Sequence, residues 1–464
     1  MFRDLAGYTT YQQAPASSLP RLPADWQWNR LAAVGRQVRE TGRPDLPLLS
    51  VYLGRGVIPY NEGGARVHAP SERLDAYQVV RPGDLVLNNQ QAWRGSVGVS
   101  PHHGIISPAY IVWRNTGAIT AQYAEHLFPA SVMVDQFVTA SRGVGDIQRD
   151  LHRPSLRNVL VPLPPLDHQA AIAAYLAYAN ARIEKAIAAK RRLVRLLDEM
   201  DRSIDNNLAG AIDTRADSNS DIEWLGSIPP SWDAVPAKRL FVEVDRRSST
   251  GSEGLLSLRM REGLVDANEF TETPIPSTDL VGYKIVRPGE IVMNRMRAAI
   301  GLFGVAKKEG LVSPDYSTLK VTRGVDPDFY LHLFKTDAAM AEFRRRSNGL
   351  GTGSSGFMRL YYEDFGPMSL PLPSIDEQRM VVRTIRRQRS ETMPLRSRAQ
   401  REVALLQEFR NRLVADVVTG QIDVRAIAAS LPSTPEPGDD LGALTDDNLQ
   451  ELPREARIEH AASQ

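Results

Sequence analysis

Tyr77 to Asn88 reads YQVVRPGDLVLN, and Tyr283 to Asn294 reads YKIVRPGEIVMN. The two stretches lie 206 residues apart, and the register continues on both sides. Gly98, Gly104, Ser107, Pro108 and Tyr110 fall on Gly304, Gly310, Ser313, Pro314 and Tyr316, and His126-Leu127-Phe128 falls on His332-Leu333-Phe334. Upstream, Pro23 and Trp26 match Pro229 and Trp232, while Leu48-Leu49-Ser50 matches Leu255-Leu256-Ser257 one residue further on. Downstream, VPLPPLDHQ (Val161 to Gln169) matches LPLPSIDEQ (Leu370 to Gln378) at an offset of 209. A register held over so many positions, with only small insertions between blocks, makes the chain two copies of one unit of roughly 200 residues.

Each copy has the same internal grammar. Arg-Pro-Gly at 81 to 83 and at 287 to 289 is a turn signal leading into the apolar runs Leu85-Val86-Leu87 and Ile291-Val292-Met293. Short β-branched runs broken by Gly and Pro predict a mixed α/β globule for this first part. The second part opens at a proline-rich stop and turns helical. Ser374 and Glu377 have the spacing of a capping box, and Asp167 is the matching N-cap candidate. From Asp167 to about Asn207 there is no proline or glycine. Leu176, Ile183, Leu197 and Ile204 form one seven-residue seam, interrupted at Lys190, and Ala179, Ala186, Leu193 and Met200 form another. At the usual rise per residue, such a helix reaches about 60 Å. The second helix carries Leu395, Ala399, Leu406, Phe409 and Leu413, and Pro394 is expected to kink or split it near Met393. The two helices can satisfy one another's stripes as an antiparallel pair; the alternative is that each packs on its own domain.

The bulk numbers bound the class. A chain of 464 residues exceeds what one core usually organises, and 42% hydrophobic with 24% charged residues is an ordinary globular composition. The absence of cysteine excludes disulfides, Cys-ligated zinc and a thiol nucleophile, and fits a reducing compartment. Met1 to Thr10 lacks the pattern of a signal peptide, and no apolar run is long enough to span a bilayer, so a cytoplasmic protein is expected. The net charge of +1 hides an uneven distribution: Thr434 to Gln464 carries −6, which leaves +7 for residues 1–433. That excess is modest for a nucleic-acid binder, and suffices where partner subunits share the phosphate contacts. Beyond about Asp423 the sequence turns to Pro, Gly, Ser and acids and reads as a disordered tail.

Groups for a reaction are not found. There is no GxxxxGK[ST] loop, and the Pro-Pro pairs at 164 to 165 and 229 to 230 lack the flanking Asn or Asp and aromatic ring of an amino-methyltransferase motif. His102-His103 lacks a carboxylate pattern for a metal site and reads as a loop pair. No catalytic or metal-binding residue is therefore assigned.

The paired motifs RPGDLVLNNQQAWRGSVGVS and GIISPAY (81 to 110), RPGEIVMNRMR and GLVSPDY (287 to 316), the two proline-rich helix starts, IEWLGSIPPSW (222 to 232) and VVTGQIDVR (417 to 425) together resemble the specificity (S) subunits of type I restriction-modification systems. The resemblance spans about residues 20 to 425. It implies two globular, mixed α/β target-recognition domains separated by long antiparallel coiled-coil helices. The expected boundaries are domain 1 at 1–165, spacer helix 1 at 166–213, domain 2 at 214–373, spacer helix 2 at 374–423 and an acidic tail at 424–464. It further implies a non-catalytic chain that reads a split site in double-stranded DNA. Two methyltransferase subunits would dock on the helices and restriction subunits would join them in phage defence. S-adenosylmethionine, ATP and Mg belong, on this resemblance, to those partners, and no cofactor belongs to this chain. Pro394 and the acidic tail depart from the family's pattern.

Reading base edges needs Arg, Lys, Asn or Gln on accessible surface, since these make paired hydrogen bonds to bases. In the first copy the candidates are Asn89, Gln90, Gln91 and Arg94, and in the second Arg295 and Arg297. A loop that merely closes the domain is the alternative for each. Arg142, Asn348 and Ser354 sit in glycine-rich stretches that can approach a DNA backbone or serve as turns, and Arg345 is a phosphate candidate. The competing function is a coiled-coil scaffold that binds proteins and reads no DNA.

Overall fold

The chain is seen in a computed structural model that describes residues 6–63, 70–71, 73–144, 148–207, 221–269, 276–349 and 358–431. It divides into two units, residues 1–189 with 402–464, and residues 190–401.

In the first unit, β1 (Gly35–Val38), β2 (Leu85–Asn88), β3 (Val97–Val99) and β4 (Tyr110–Asn115) form an antiparallel sheet in the order β1-β4-β2-β3. The Arg-Pro-Gly turn launches β2. Gly83 takes φ 87°, which a side chain resists, and the Asp84 carboxylate accepts from the Arg81 backbone N–H at 2.9 Å. Leu85 and Leu87 point into the main core, whereas Val86 packs into a second cluster with Leu49, Val57 and Val112. Burial on both faces explains why this strand reads as a continuous apolar run instead of an alternating one. After the helix α1 (Ser131–Thr139) comes a hairpin, β5 (Ser141–Val144) with β6 (Gln148–Leu151).

The second unit repeats this plan. Strands β7 (Phe241–Val244), β8 (Ile291–Asn294), β9 (Phe303–Val305) and β10 (Tyr316–Val321) follow the order β7-β10-β8-β9. Gly289 has φ 83°, and Glu290 Oε2 accepts from the Arg287 backbone N–H at 2.9 Å. Ile291 and Met293 enter one cluster and Val292 the other. The helix α3 (Asp337–Arg346) stands where α1 stands in the first unit.

Two long helices follow the globules, α2 (Leu166–Asn206) and α4 (Ile375–Val418). Each is anchored by a glutamine that is fully buried one turn in. Gln169 donates to the carbonyls of Ala118 and Pro164 and accepts from Thr120 N–H at 2.8 Å; Gln378 donates to Gly324 and Pro373 and accepts from Asp326 N–H at 2.7 Å. Replacing Gln378 by methionine strands one donor and two acceptors, and is expected to cost about 3 kcal/mol in denaturant unfolding. A loss below about 1 kcal/mol would show the bonds to be dispensable.

The capping box of α4 is present: Glu377 N–H donates to Ser374 Oγ, and Ser374 N–H donates to Glu377 Oε2 at 2.8 Å. Asp167 is not the cap of α2. The helix begins at Leu166, and the residue equivalent to Ser374 is Pro165, which has no side-chain acceptor, so Asp167 lies inside the first turn. Pro394 does not split α4. It sits on an exposed face, where water can satisfy the carbonyl that a proline leaves unbonded.

The first seam of α2 is buried at Leu176, Ile183 and Leu197 and partly at Ile204. The second is not. Ala179 is buried, but Leu193 is 37% and Met200 50% exposed. In the first unit α2 packs through Ile183 and Ile187 into the cluster that holds Leu413 and Val417 of α4, and Arg410 pairs with Glu184. In the second unit polar contacts join the seam: Arg396 pairs with Asp198 and Asp201, Thr392 Oγ1 donates to Asp201 at 2.9 Å, and Arg389 pairs with Asp205. Partners on α4 fall in number as those on α2 rise, so the pair is antiparallel.

Ordered structure continues past the change in composition at Asp423. Val424 is fully buried, and a short helix α5 (Arg425–Ala429) lays Ile427 and Ala428 on the core of the first unit. The acidic stretch itself lies outside the described residues.

Candidate nucleic-acid interface

β2 and β8 each end in the same loop. Gln91 N–H donates to Asn88 O, Arg94 N–H to Gln91 O, Gly95 N–H to Ala92 O and Ser96 N–H to Gln91 O. In the second unit Arg297 N–H donates to Asn294 O, Ile300 N–H to Arg297 O, Gly301 N–H to Ala298 O and Leu302 N–H to Arg297 O. Asn88 Oδ1 accepts from Gln90 N–H at 3.1 Å, and Asn294 Oδ1 accepts from Met296 N–H at 3.0 Å. Gly95 and Gly301 close the turns at φ 91° and 76°. Ala92 and Ala298, fully buried, pin both loops to their cores.

The hairpin after α1 docks on this loop, and in the second unit the bridged pair Asn348 and Arg359 leads to the equivalent contact. Leu151 N–H donates to Asn89 O at 3.0 Å, and Leu360 N–H donates to Arg295 O at 2.9 Å. Arg142 lies opposite Asp150, and Asn348 opposite Arg359, so Arg142 and Asn348 occupy equivalent places on the two units. Both therefore stand on paired backbone, where the glycine-rich sequence suggested loops. Ser354 lies outside the described residues.

On this common frame the side chains differ. In the first unit Asn89 donates to Asp150 Oδ1 at 3.0 Å, Gln90 is exposed, and Trp93 Nε1 donates to Gln90 O at 2.9 Å. The guanidinium carbons of Arg94 and Arg149 stand 4.4 and 5.2 Å from the Trp93 ring centroid, a stack of two cations on one indole. In the second unit Arg295 is spent on the fold: it donates to the carbonyls of Asp315 and Pro314 at 2.6 and 2.9 Å and stands 5.8 Å from the Tyr361 ring. Arg297 is half-buried near Tyr316. Arg345 makes two 2.7 Å hydrogen bonds to Glu342, and these hold the Glu342 carboxyl below the usual carboxylate range despite its burial. Asn348 donates to Asp364 at 2.7 Å.

The structure thus gathers Asn89, Gln90, Gln91, Arg94 and Arg142 on one surface of the first unit, and Arg295, Arg297 and Asn348 on the equivalent surface of the second. Arg345 is placed in the last turn of α3. Sequence reasoning missed Arg149, which stacks on Trp93, and Arg359, which stands opposite Asn348 where the first unit has Asp150 opposite Arg142. Among the described residues no group of His, Asp and Glu is arranged to hold a metal ion. No helix among the described residues is long and apolar enough to cross a membrane.

No model of a known protein family matches the chain. Among solved structures it is similar to a chain from work on complex assembly and conformational transition of the type I R-M system, with 18% identity, a TM-score of 0.58, and coverage of 87% of this chain and 100% of that one. It also aligns with the HsdS subunit from Thermoanaerobacter tengcongensis (18% identity, TM-score 0.42, covering 87% of this chain and 98% of that one). For the S subunit of a type I system from M. genitalium the values are 12%, 0.34, 88% and 99%. The repeated units, the helix pair and the first of these likenesses together give this chain a fold found in the type I restriction-modification system.

Proposed function

We propose that this chain is the specificity subunit of a type I restriction-modification complex, reading one half of a split DNA site with each unit. The observation that carries the reading is one loop backbone, with a paired segment docked on it, built twice with different outward side chains. A reader of two different half-sites needs that arrangement, and a scaffold has no use for it. Two methyltransferase subunits dock on the helices. Leu193, Leu196 and Met200, exposed at helical spacing on α2, support a protein partner there. Restriction subunits complete the complex in the cytoplasm. Methyl transfer and cleavage, with their S-adenosylmethionine, ATP and Mg, belong to those partners and not to this chain.

The test is binding of the chain with its methyltransferase partner to its own site and to single-base variants. Arg94→Ala and Arg297→Ala are each expected to cost about 1 to 3 kcal/mol and to relax the preference at one position. Arg345→Ala is expected to weaken all duplexes alike, and by less, because Glu342 already occupies two of its donors. Binding that ignores sequence in the wild type would favour the scaffold.

A further inference from the structure

The repeat places Met296 where the first unit has Gln90, and Ile300 where it has Arg94. Because the backbone bonds around these positions are the same, the four side chains leave equivalent points of the two loops. Gln and Arg present donors and an acceptor. Met296 and Ile300 present hydrocarbon and a thioether, and they are 41% and 45% exposed. Apolar side chains left outside at a loop tip are normally unremarkable when scattered singly. Here they share one short turn, and Arg359 stands beside it. Arg359 Nη2 approaches Met296 Sδ to 4.0 Å, and Arg295 and Arg297 flank Met296 in the chain.

An apolar tip with guanidinium groups beside it has the charge pattern that complements a DNA groove, in which phosphates flank the base edges. In the major groove the one apolar group on those edges is the C5 methyl of thymine. We infer that Met296 and Ile300 read thymine methyl groups in the half-site of the second unit, while Gln90 and Arg94 read hydrogen-bonding edges in the other half. This specificity contact rests on the DNA-reading function proposed above and adds the base chemistry of one half.

The test uses the full chain with its methyltransferase partner and a randomised duplex library made with either thymidine or deoxyuridine. Losing a methyl from a buried contact is expected to weaken binding about fourfold per thymine, and only in the half read by the second unit. Met296→Gln with Ile300→Arg, both at exposed positions, is expected to remove the sensitivity to uracil in that half and leave the other half unchanged. Two results overturn the inference while DNA reading stands: uracil without effect in the second unit's half, or no thymine selected there. If the double variant keeps its base preferences and loses assembly with the methyltransferase instead, the tip is a protein contact. A library from which the wild-type complex selects nothing defeats the proposed function itself.

Discussion

Replacing residues 20–160 by residues 226–369 is expected to give a chain that reads the second unit's bases in both halves of its site. The exchange is structurally conservative. Both segments begin before the Pro-Trp pair, carry the same four-stranded sheet and loop, and return to a buried glutamine at a helix start. Tyr123 and Tyr330, which donate to the carbonyls of Pro162 and Pro371 at 3.1 and 2.8 Å, close the two domains in the same way. The original first half-site then loses all of its contacts, and its preference over random sequence falls by at least roughly a thousandfold. Competition binding against duplexes altered in one half at a time reads this directly. A chimera that folds and still prefers the old first half would place base reading outside the globular units.

Asp205→Ala is expected to destabilise the second unit by about 4 kcal/mol. Asp205 is 5% exposed on its side chain, takes a 3.0 Å contact from His332 Nδ1, and pairs with Arg389 of α4. Removing it leaves a buried imidazole and a largely buried guanidinium facing each other with no anion between them. Lys335, whose ammonium is pushed below its ordinary value by burial and then by the nearby Arg389 charge, would lose the one carboxylate that counteracts this. Denaturant unfolding followed by hydrogen exchange in α2 and α4 measures the cost. A loss under about 1 kcal/mol would show that the packing of Val381, Val382 and Ile385 holds α4 to the domain without the charges.

The architecture was legible because the duplication was. Arg-Pro-Gly and the apolar runs that follow it marked the central strands, and Ser374 with Glu377 marked the start of α4. The helix pair was legible in its first seam only. Leu193 and Met200 were read as buried because a seven-residue spacing records which residues share a face and not what covers that face. Over this stretch Asp198, Asp201 and Asp205 join Leu197 and Ile204 against α4, and nothing in the spacing of their partners Arg389 and Arg396 marks those arginines as paired. The candidate site was legible as a location and less so as chemistry. Arg295 and Arg345 carry the right groups for DNA, but one is tied to two backbone carbonyls and the other to Glu342. No pattern in the sequence distinguishes a guanidinium held by the fold from one that faces outward. Met296 and Ile300 were overlooked for the opposite reason, since a search for hydrogen-bonding side chains passes over apolar ones.

Methylome sequencing of cells that carry this chain with its methyltransferase partner tests the central claim most directly. Two units with one frame and different outward side chains predict methylation at a single split motif whose halves differ in sequence, separated by unread bases, and lost when this chain is deleted. Methylation at a contiguous or palindromic motif, or a motif that persists without this chain, would contradict the assignment of one half-site to each unit.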